Sequence, residues 1–327
     1  MRAIQIVEES GPDSALAMVE LPEPEPSHMM TPGEGVLVEV HAAGVAFPDL
    51  LQTRGQYQMK PPLPFVPGSE VGGVVRSAPA GATVKEGDRV AAFCGIGGFA
   101  ETAVSPTFFT FPLIDDLDYA QGAALVLNYH TAYFALAIRG RLQQGEQVLV
   151  HGAAGGVGTA TLQVAKALGA RTIAVVSSDE KERVAREAGA DEVVSVEGFK
   201  DKVLEVSGGG VDVVMDPVGG DRFTDSLRTL REDGRLLVVG FTGGSIPEVK
   251  VNRLLLKNTS VVGAGWGAYV MSKPQLNREV GAAIENMISD GFVRPIVGER
   301  FAFEDAAGAL RCLDERRALG KVVLEVR

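Results

Sequence analysis

The sequence predicts two regions of different build: a doubly wound α/β domain with a parallel sheet, and a smaller domain that is mostly β. Three observations carry this. From Glu146 onward, short apolar strands alternate with amphipathic helices, the pattern of a parallel sheet covered on both faces. Residues 1–120 instead hold short alternating runs cut by Gly and Pro, which suits a small barrel or rolled sheet. Between Val148 and Gly158 the chain reads V-L-V-H-G-A-A-G-G-V-G: an apolar strand, a turn of small residues and the opening of a helix.

With 327 residues the chain is long enough for one large or two ordinary domains. Its formal net charge of −11 repels nucleic acid and anionic membranes, so neither is expected as a partner, and an anionic ligand needs basic groups placed locally. Cys94 and Cys312 are far apart and make neither a disulfide framework nor a zinc lobe, so they read as thiols in a reducing compartment. The opening M-R-A-I-Q-I-V-E-E lacks the apolar core of a signal peptide, and no apolar run approaches the ~20 residues of a membrane span. A cytoplasmic location is the expectation.

In the first region, Arg2–Val7, Leu16–Glu20 and Gly35–Ala42 alternate in hydropathy, with Val36, Val38, Val40 and Ala42 on one face of the last. L-P-E-P-E-P at 21–26 is an extended connector, because proline does not enter a helix interior. The prolines from Pro61 to Pro67 make a loop, and Val71–Ser77 and Asp88–Cys94 are further strands. Leu117–Ile138 has a helical pattern. Strands at Glu146–His151, Arg171–Ser177, Asp191–Val196, Val211–Asp216, Arg235–Gly240 and Ser260–Ala264 then alternate with helices at 156–168, 179–188, 198–206 and 219–231. The tail reads helix 273–290, strand 296–301, helix 304–315 and strand Val322–Val326. Pattern alone leaves open whether it extends the parallel sheet or returns to the first domain.

The stretch at 148–158 outlines an anion site. Backbone N–H groups at a helix start, the positive end of the helix dipole and the missing side chains let a pyrophosphate come close. Ala154, Gly155, Gly156 and Val157 supply the backbone that would meet it. The spacing is A-x-G-x-x-G, with Ala153 where a dinucleotide fingerprint has its first glycine, and a turn that only packs helix on strand gives the same pattern. The next strand narrows this. It ends at Ser177, where NAD sites place an acid for the ribose hydroxyls, and Ser178 and Lys181 follow. A carboxylate repels a 2′-phosphate, whereas hydroxyls with a lysine bind it, which favours NADPH over NADH. The competing reading makes Ser177 and Ser178 helix caps and Lys181 a solvated charge, with Asp179 a first-turn acid. Gly240, Phe241 and Thr242 lie just past the fifth strand of the parallel sheet, where loop backbone faces a ligand.

Several runs, in order, resemble the zinc-independent quinone oxidoreductase branch of the medium-chain dehydrogenase/reductase superfamily. They are H-A-A-G-V-A-F-P-D, V-P-G-S-E-V-G-G-V-V, N-Y-H-T-A-Y-F-A-L, the glycine turn itself, Q-V-A-K-A-L-G-A, S-S-D-E-K, D-P-V-G-G and G-K-V-V-L. The resemblance spans nearly the whole chain. It implies a GroES-like, β-rich catalytic domain from both chain ends, 1–124 and 267–327, with a Rossmann cofactor-binding domain of 125–266 inserted and the nicotinamide in the cleft between them. It also implies a homodimer. Pairing through the sixth strand, S-V-V-G-A-G, would cover what otherwise stands as an apolar edge.

The resemblance bears on the chemistry as well. The zinc-dependent branch carries metal ligands at positions that are Ala46, Ser69 and Leu127 here, leaving only Asp49 and Glu70. Two carboxylates make a poor zinc site, and His28, His41, His130 and His151 do not restore one, so no metal is expected. Without a metal to polarise a carbonyl, the hydride acceptor must already be electrophilic: a quinone, or an α,β-unsaturated carbonyl. Tyr57 stands where related enoyl reductases carry a proton donor, and it either donates that proton or only lines the pocket. Thr131 matches a position that contacts the nicotinamide, or is a buried helix hydroxyl. Asp49 orients loops beside the cofactor, or only stabilises the turn after Pro48. Phe47, Asn128, Tyr129 and Trp266 are pocket candidates, with packing between domains the alternative for Trp266. One of Arg316, Arg317 and Lys321 is placed to reach cofactor phosphates, the others being solvated. Ala46 and Val196 depart from an Asn and a Tyr common in the branch, which removes two cofactor contacts. The expected function is an NADPH-dependent, metal-free reductase of a small quinone or activated alkene. An enoyl-thioester reductase using Tyr57, and a non-catalytic NADPH-binding protein of the crystallin kind, are the alternatives.

Overall fold

The computed structural model describes all 327 residues. In chain order the first stretch contributes β1 (Arg2–Ile6), β2 (Leu16–Glu20), β3 (Val36–Val45), α1 (Phe47–Gln52), β4 (Glu70–Ser77), β5 (Arg89–Phe93), β6 (Thr102–Ser105), β7 (Thr110–Pro112) and α2 (Tyr119–Gly122). The middle contributes α3 (Val126–Tyr133), β8 (Gln147–Val150), α4 (Gly156–Ala167), β9 (Arg171–Val176), α5 (Asp179–Glu187), β10 (Glu192–Ser195), α6 (Phe199–Val206), β11 (Val211–Asp216) and α7 (Phe223–Thr229). It continues with β12 (Leu230–Val238), α8 (Asn252–Lys257), β13 (Ser260–Gly263), α9 (Trp266–Met271) and α10 (Pro274–Ser289), before β14 (Val297–Ala302), α11 (Ala306–Asp314) and β15 (Lys321–Glu325). These elements form two compact units, one of Met1–Leu127 with Pro295–Arg327, the other of Asn128–Arg294.

The first unit holds a seven-stranded sheet ordered β14-β15-β3-β4-β5-β7, with β6 also paired to β3. β15 runs antiparallel to β3 and parallel to β14, so the tail is an interior strand of this sheet. The alternation in β3 puts Val36, Val38 and Val40 into one core with Val71, Val90 and Leu324. The β3–β4 register sets Gly44 opposite the buried Glu70.

The second unit holds a six-stranded parallel sheet ordered β10-β9-β8-β11-β12-β13. The chain winds outward from β8 to β10, crosses back, and winds outward again from β11 to β13. The direction reverses between β8 and β11, and ligands of such sheets bind beyond the strand ends at that point. Val148, Leu149 and Val150 are fully buried, which explains their unbroken apolar run.

The structure departs from the expected elements at short pieces and at joints. α1, β6, β7, α8 and α9 have three to six residues each, too few for a periodic signal. The single helix expected over 117–138 is broken: α2 stops at Gly122, α3 starts at Val126, and a π-helical turn covers Phe134–Arg139. The compact units divide at 127/128 and 294/295, whereas the expected joints are at 124/125 and 266/267. α10 explains the later return. It buries Val280, Ile284 and Met287, and its Asn277 hydrogen-bonds the His130 ring of α3 at 2.8 Å.

Candidate functional site

The glycine turn is held by close backbone packing. Gly158 lies against it so tightly that a Cβ there would meet the Gly152 carbonyl oxygen at 2.1 Å, so a side chain would push α4 off the turn. Ala153 and Ala154 are buried, and Gly155, Gly156 and Val157 are half-buried. Gly155 precedes the helix in extended conformation and no side chain caps α4. The first-turn N–H groups and the positive helix end are thus open to an anion. Gly156 also lets Asn128 approach, since a Cβ would sit 2.6 Å from its Nδ2. One of the expected pocket residues therefore stands at the phosphate turn.

Ser177 follows β9 and is exposed. Lys181 Nζ donates to its Oγ at 3.2 Å, so the hydroxyl and the ammonium expected to share a 2′-phosphate do lie side by side. Ser178 is engaged differently. Its Oγ accepts from the Lys181 backbone N–H at 3.3 Å and caps α5.

The loop after β12 carries Gly240, Phe241 and Thr242. Phe241 is 37% exposed, and Thr242 bonds the Pro217 carbonyl through both N–H and Oγ1, each at 3.1 Å. On α3, Asn128 and Thr131 are buried, and Tyr129 Oη donates to Gln163 Oε1 at 2.8 Å. Burial pushes His130 down to about 4 against its bond to Asn277, so the ring is neutral near pH 7. Trp266 is buried and meets the His130 ring edge-on, with centroids 5.5 Å apart.

In the first unit, Asp49 sits in the first turn of α1 and is almost completely buried. It accepts from the Ala46 N–H at 2.8 Å and the Gly68 N–H at 3.2 Å, joining the loops before α1 and before β4. Burial pushes its carboxyl up to about 7, against those N–H groups and the Lys321 ammonium. Tyr57 is partly exposed in the loop after α1, and Phe47 packs against the core. Arg317 pairs with Glu315 at 2.6 Å and is half-exposed, as a solvated charge is.

Lys321 does something the sequence reading did not assign to it. Its ammonium is buried against Glu70 Oε1, and Glu70 Oε2 accepts from the Leu127 N–H at 2.9 Å. Both carboxylate oxygens are thereby satisfied. The signal was present as two charges, each opening an apolar run, in S-E-V-G-G-V-V and G-K-V-V-L.

Two families match the chain. One described as an alcohol dehydrogenase GroES-like domain covers residues 32–115, and one described as a zinc-binding dehydrogenase covers residues 156–282. A quinone oxidoreductase-like protein 2 of Bos taurus is 40% identical over 298 residues, 89% of this chain and 85% of its own. The crystal structure of a probable oxidoreductase from Mycobacterium abscessus is 44% identical, with TM-score 0.88, covering 100% of this chain and 99% of that one. A mycobacterial protein solved with NADPH is 32% identical, with TM-score 0.90 and full coverage of both chains.

The second family's description raises a zinc ion, and the donor set does not fit one. No group of three or more His, Cys, Asp or Glu side chains is arranged so that it could hold a metal ion. Asp49 is spent on backbone N–H groups and Glu70 on Lys321, while burial pushes the Cys94 thiol up to about 12.

Proposed function

The chain belongs to the quinone oxidoreductase branch of the medium-chain dehydrogenase/reductase superfamily, and on that premise we propose that it is an NADPH-dependent oxidoreductase of quinones or α,β-unsaturated carbonyls. The observation that carries the cofactor is the Ser177–Lys181 pair beside an uncapped glycine turn. The turn amides from Ala154 to Val157 hold the pyrophosphate. Ser177 and Lys181 hold the 2′-phosphate, with Ser178 fixing the helix start beneath them. Thr131 and the backbone at Gly240 and Phe241 orient the nicotinamide. When bound, NADPH supplies a hydride.

The acceptor carries its own electrophilicity in this reading, since the residues present offer no ligand set that fits a metal Lewis acid. Phe47 and Tyr57 receive it, and in the second unit Trp266 packs edge-on against His130 of the helix that carries Asn128. Asp49 keeps the Ala46 and Gly68 loops in register. For an enone, the Tyr57 phenol supplies the proton that completes reduction at Cα. A quinone needs no such dedicated acid. Replacing Tyr57 with Phe therefore lowers enone or enoyl-thioester turnover and spares quinone turnover; unchanged enone turnover removes the proton-donor role.

The test of the main reading is a panel of quinones, enals and enoyl thioesters with NADPH consumption as readout. Turnover with NADPH well above that with NADH is expected. NADPH binding with no turnover anywhere supports the crystallin-like alternative, and tighter NADH binding overturns the Ser177/Lys181 assignment. No helix is long and apolar enough to cross a membrane. The two free, buried thiols, Cys94 and Cys312, support a cytoplasmic setting. We further propose a homodimer paired at β13, the outermost strand of the parallel sheet.

A further inference from the structure

The turn after β11 touches both loops that the reading above gives to the cofactor, and one buried carboxyl shapes that turn. Asp216 ends β11 and is 1% exposed. Its Oδ1 accepts from the Val218 N–H at 2.9 Å and the Gly219 N–H at 2.8 Å. These bonds fold Pro217–Gly219 back over the end of β11. On one side, Val218 Cγ2 lies where it would be 3.3 Å from a methyl on Gly152, the first glycine of the phosphate turn. On the other side, the Pro217 carbonyl takes both Thr242 bonds, and the Val218 carbonyl accepts from the Gly243 N–H at 2.8 Å. Gly219 has φ +64°, and a side chain there would press on the Phe241 ring at 2.9 Å.

We propose that Asp216 is a positioning residue for the nucleotide: its carboxyl sets the 217–219 turn as a spacer between the phosphate turn and the Gly240–Thr242 loop. This rests on the NADPH reading. The carboxyl does not touch the cofactor, and its negative charge is unfavourable to a polyphosphate nearby, so its value lies in its acceptor geometry. Both N–H groups go to a single oxygen. Asn in its place keeps that acceptor and loses the charge.

The experiment is NADPH titration by fluorescence, with melting of the unliganded protein measured alongside. Wild type must bind NADPH, and if it does not, the cofactor reading itself fails. With binding established, Asp216→Ala is expected to raise the NADPH Kd by about tenfold, and Asp216→Asn to restore it to within about twofold of wild type or below. In KM and kcat the Ala effect falls mainly on KM for NADPH, which a general loss of stability would not produce. Thr242→Val, which cuts one bond to Pro217 and leaves Asp216 intact, is expected to raise Kd about threefold with an unchanged melting temperature. An unchanged Kd in Asp216→Ala overturns the proposal, as does an Asn variant as weak as the Ala one. Should the Ala variant fail to fold, an unchanged Kd in Thr242→Val overturns it.

Discussion

Lys181 is one turn into a helix whose first turn holds Asp179, Glu180 and Glu182, so its positive charge lies in an acidic setting. That arrangement suits a single, local anion better than a general basic surface. Replacing Lys181 with Ala is expected to weaken NADPH by about tenfold and leave NADH nearly unchanged, read from paired titrations. An equal loss for both cofactors would place the lysine elsewhere. The Ser177–Lys181 pair was legible in the sequence because strand end and helix start fix its spacing. What spacing could not separate was the neighbouring hydroxyls of Ser177 and Ser178, of which Ser178 serves the helix cap. Asp49 was legible as a loop anchor, but its partner at Gly68 lies 19 positions away and no local pattern shows it.

At the level of elements, the Glu70–Lys321 pair ties β4, β15 and the start of α3 together. A buried ion pair is weak evidence of stability, yet breaking one half leaves a charge without compensation. Lys321→Met should cost about 3–5 kcal/mol in urea unfolding, and adding Glu70→Leu should recover part of that loss. A single variant as stable as wild type would show that water reaches Glu70. The parallel sheet was readable because β8, β9 and β11 each carry a run of buried apolar residues and are spaced by helices. α8 was not, since its Leu255 and Leu256 are exposed and follow no amphipathic period toward this chain's core. The joint at 294/295 was missed for a related reason. α10 has an apolar stripe that fits either unit, and only the His130–Asn277 bond and its packing decide where it goes.

For the whole molecule, the exposure of Val251, Leu255 and Leu256 beside the open edge at β13 asks for a cover. Light scattering should give a dimer, and Leu255→Glu with Leu256→Glu a monomer; a monomeric wild type at micromolar concentration would remove the proposed pairing. Acid sensitivity is also a property of the whole chain. Burial holds His151 down at about 3 and His130 at about 4, against an ordinary 6.5. Below pH 6.5 the unfolded chain takes up these protons and the native one does not, so stability falls as pH drops towards 4 by about 1.4 kcal/mol per unit for each histidine. Asp49, at about 7, keeps a native proton over part of the same range and offsets roughly one of them. His151→Gln should flatten the pH dependence of the urea midpoint by about one proton, and an unaltered slope would show that His151 is accessible to protons in the native state. The place of β15 between β14 and β3 has a consequence during synthesis. The ribosome delivers β3 early and residues 321–325 only after the entire parallel sheet has been made. The nascent chain therefore carries one unzipped β edge while its middle matures, and that interval is when it most needs shielding from its neighbours.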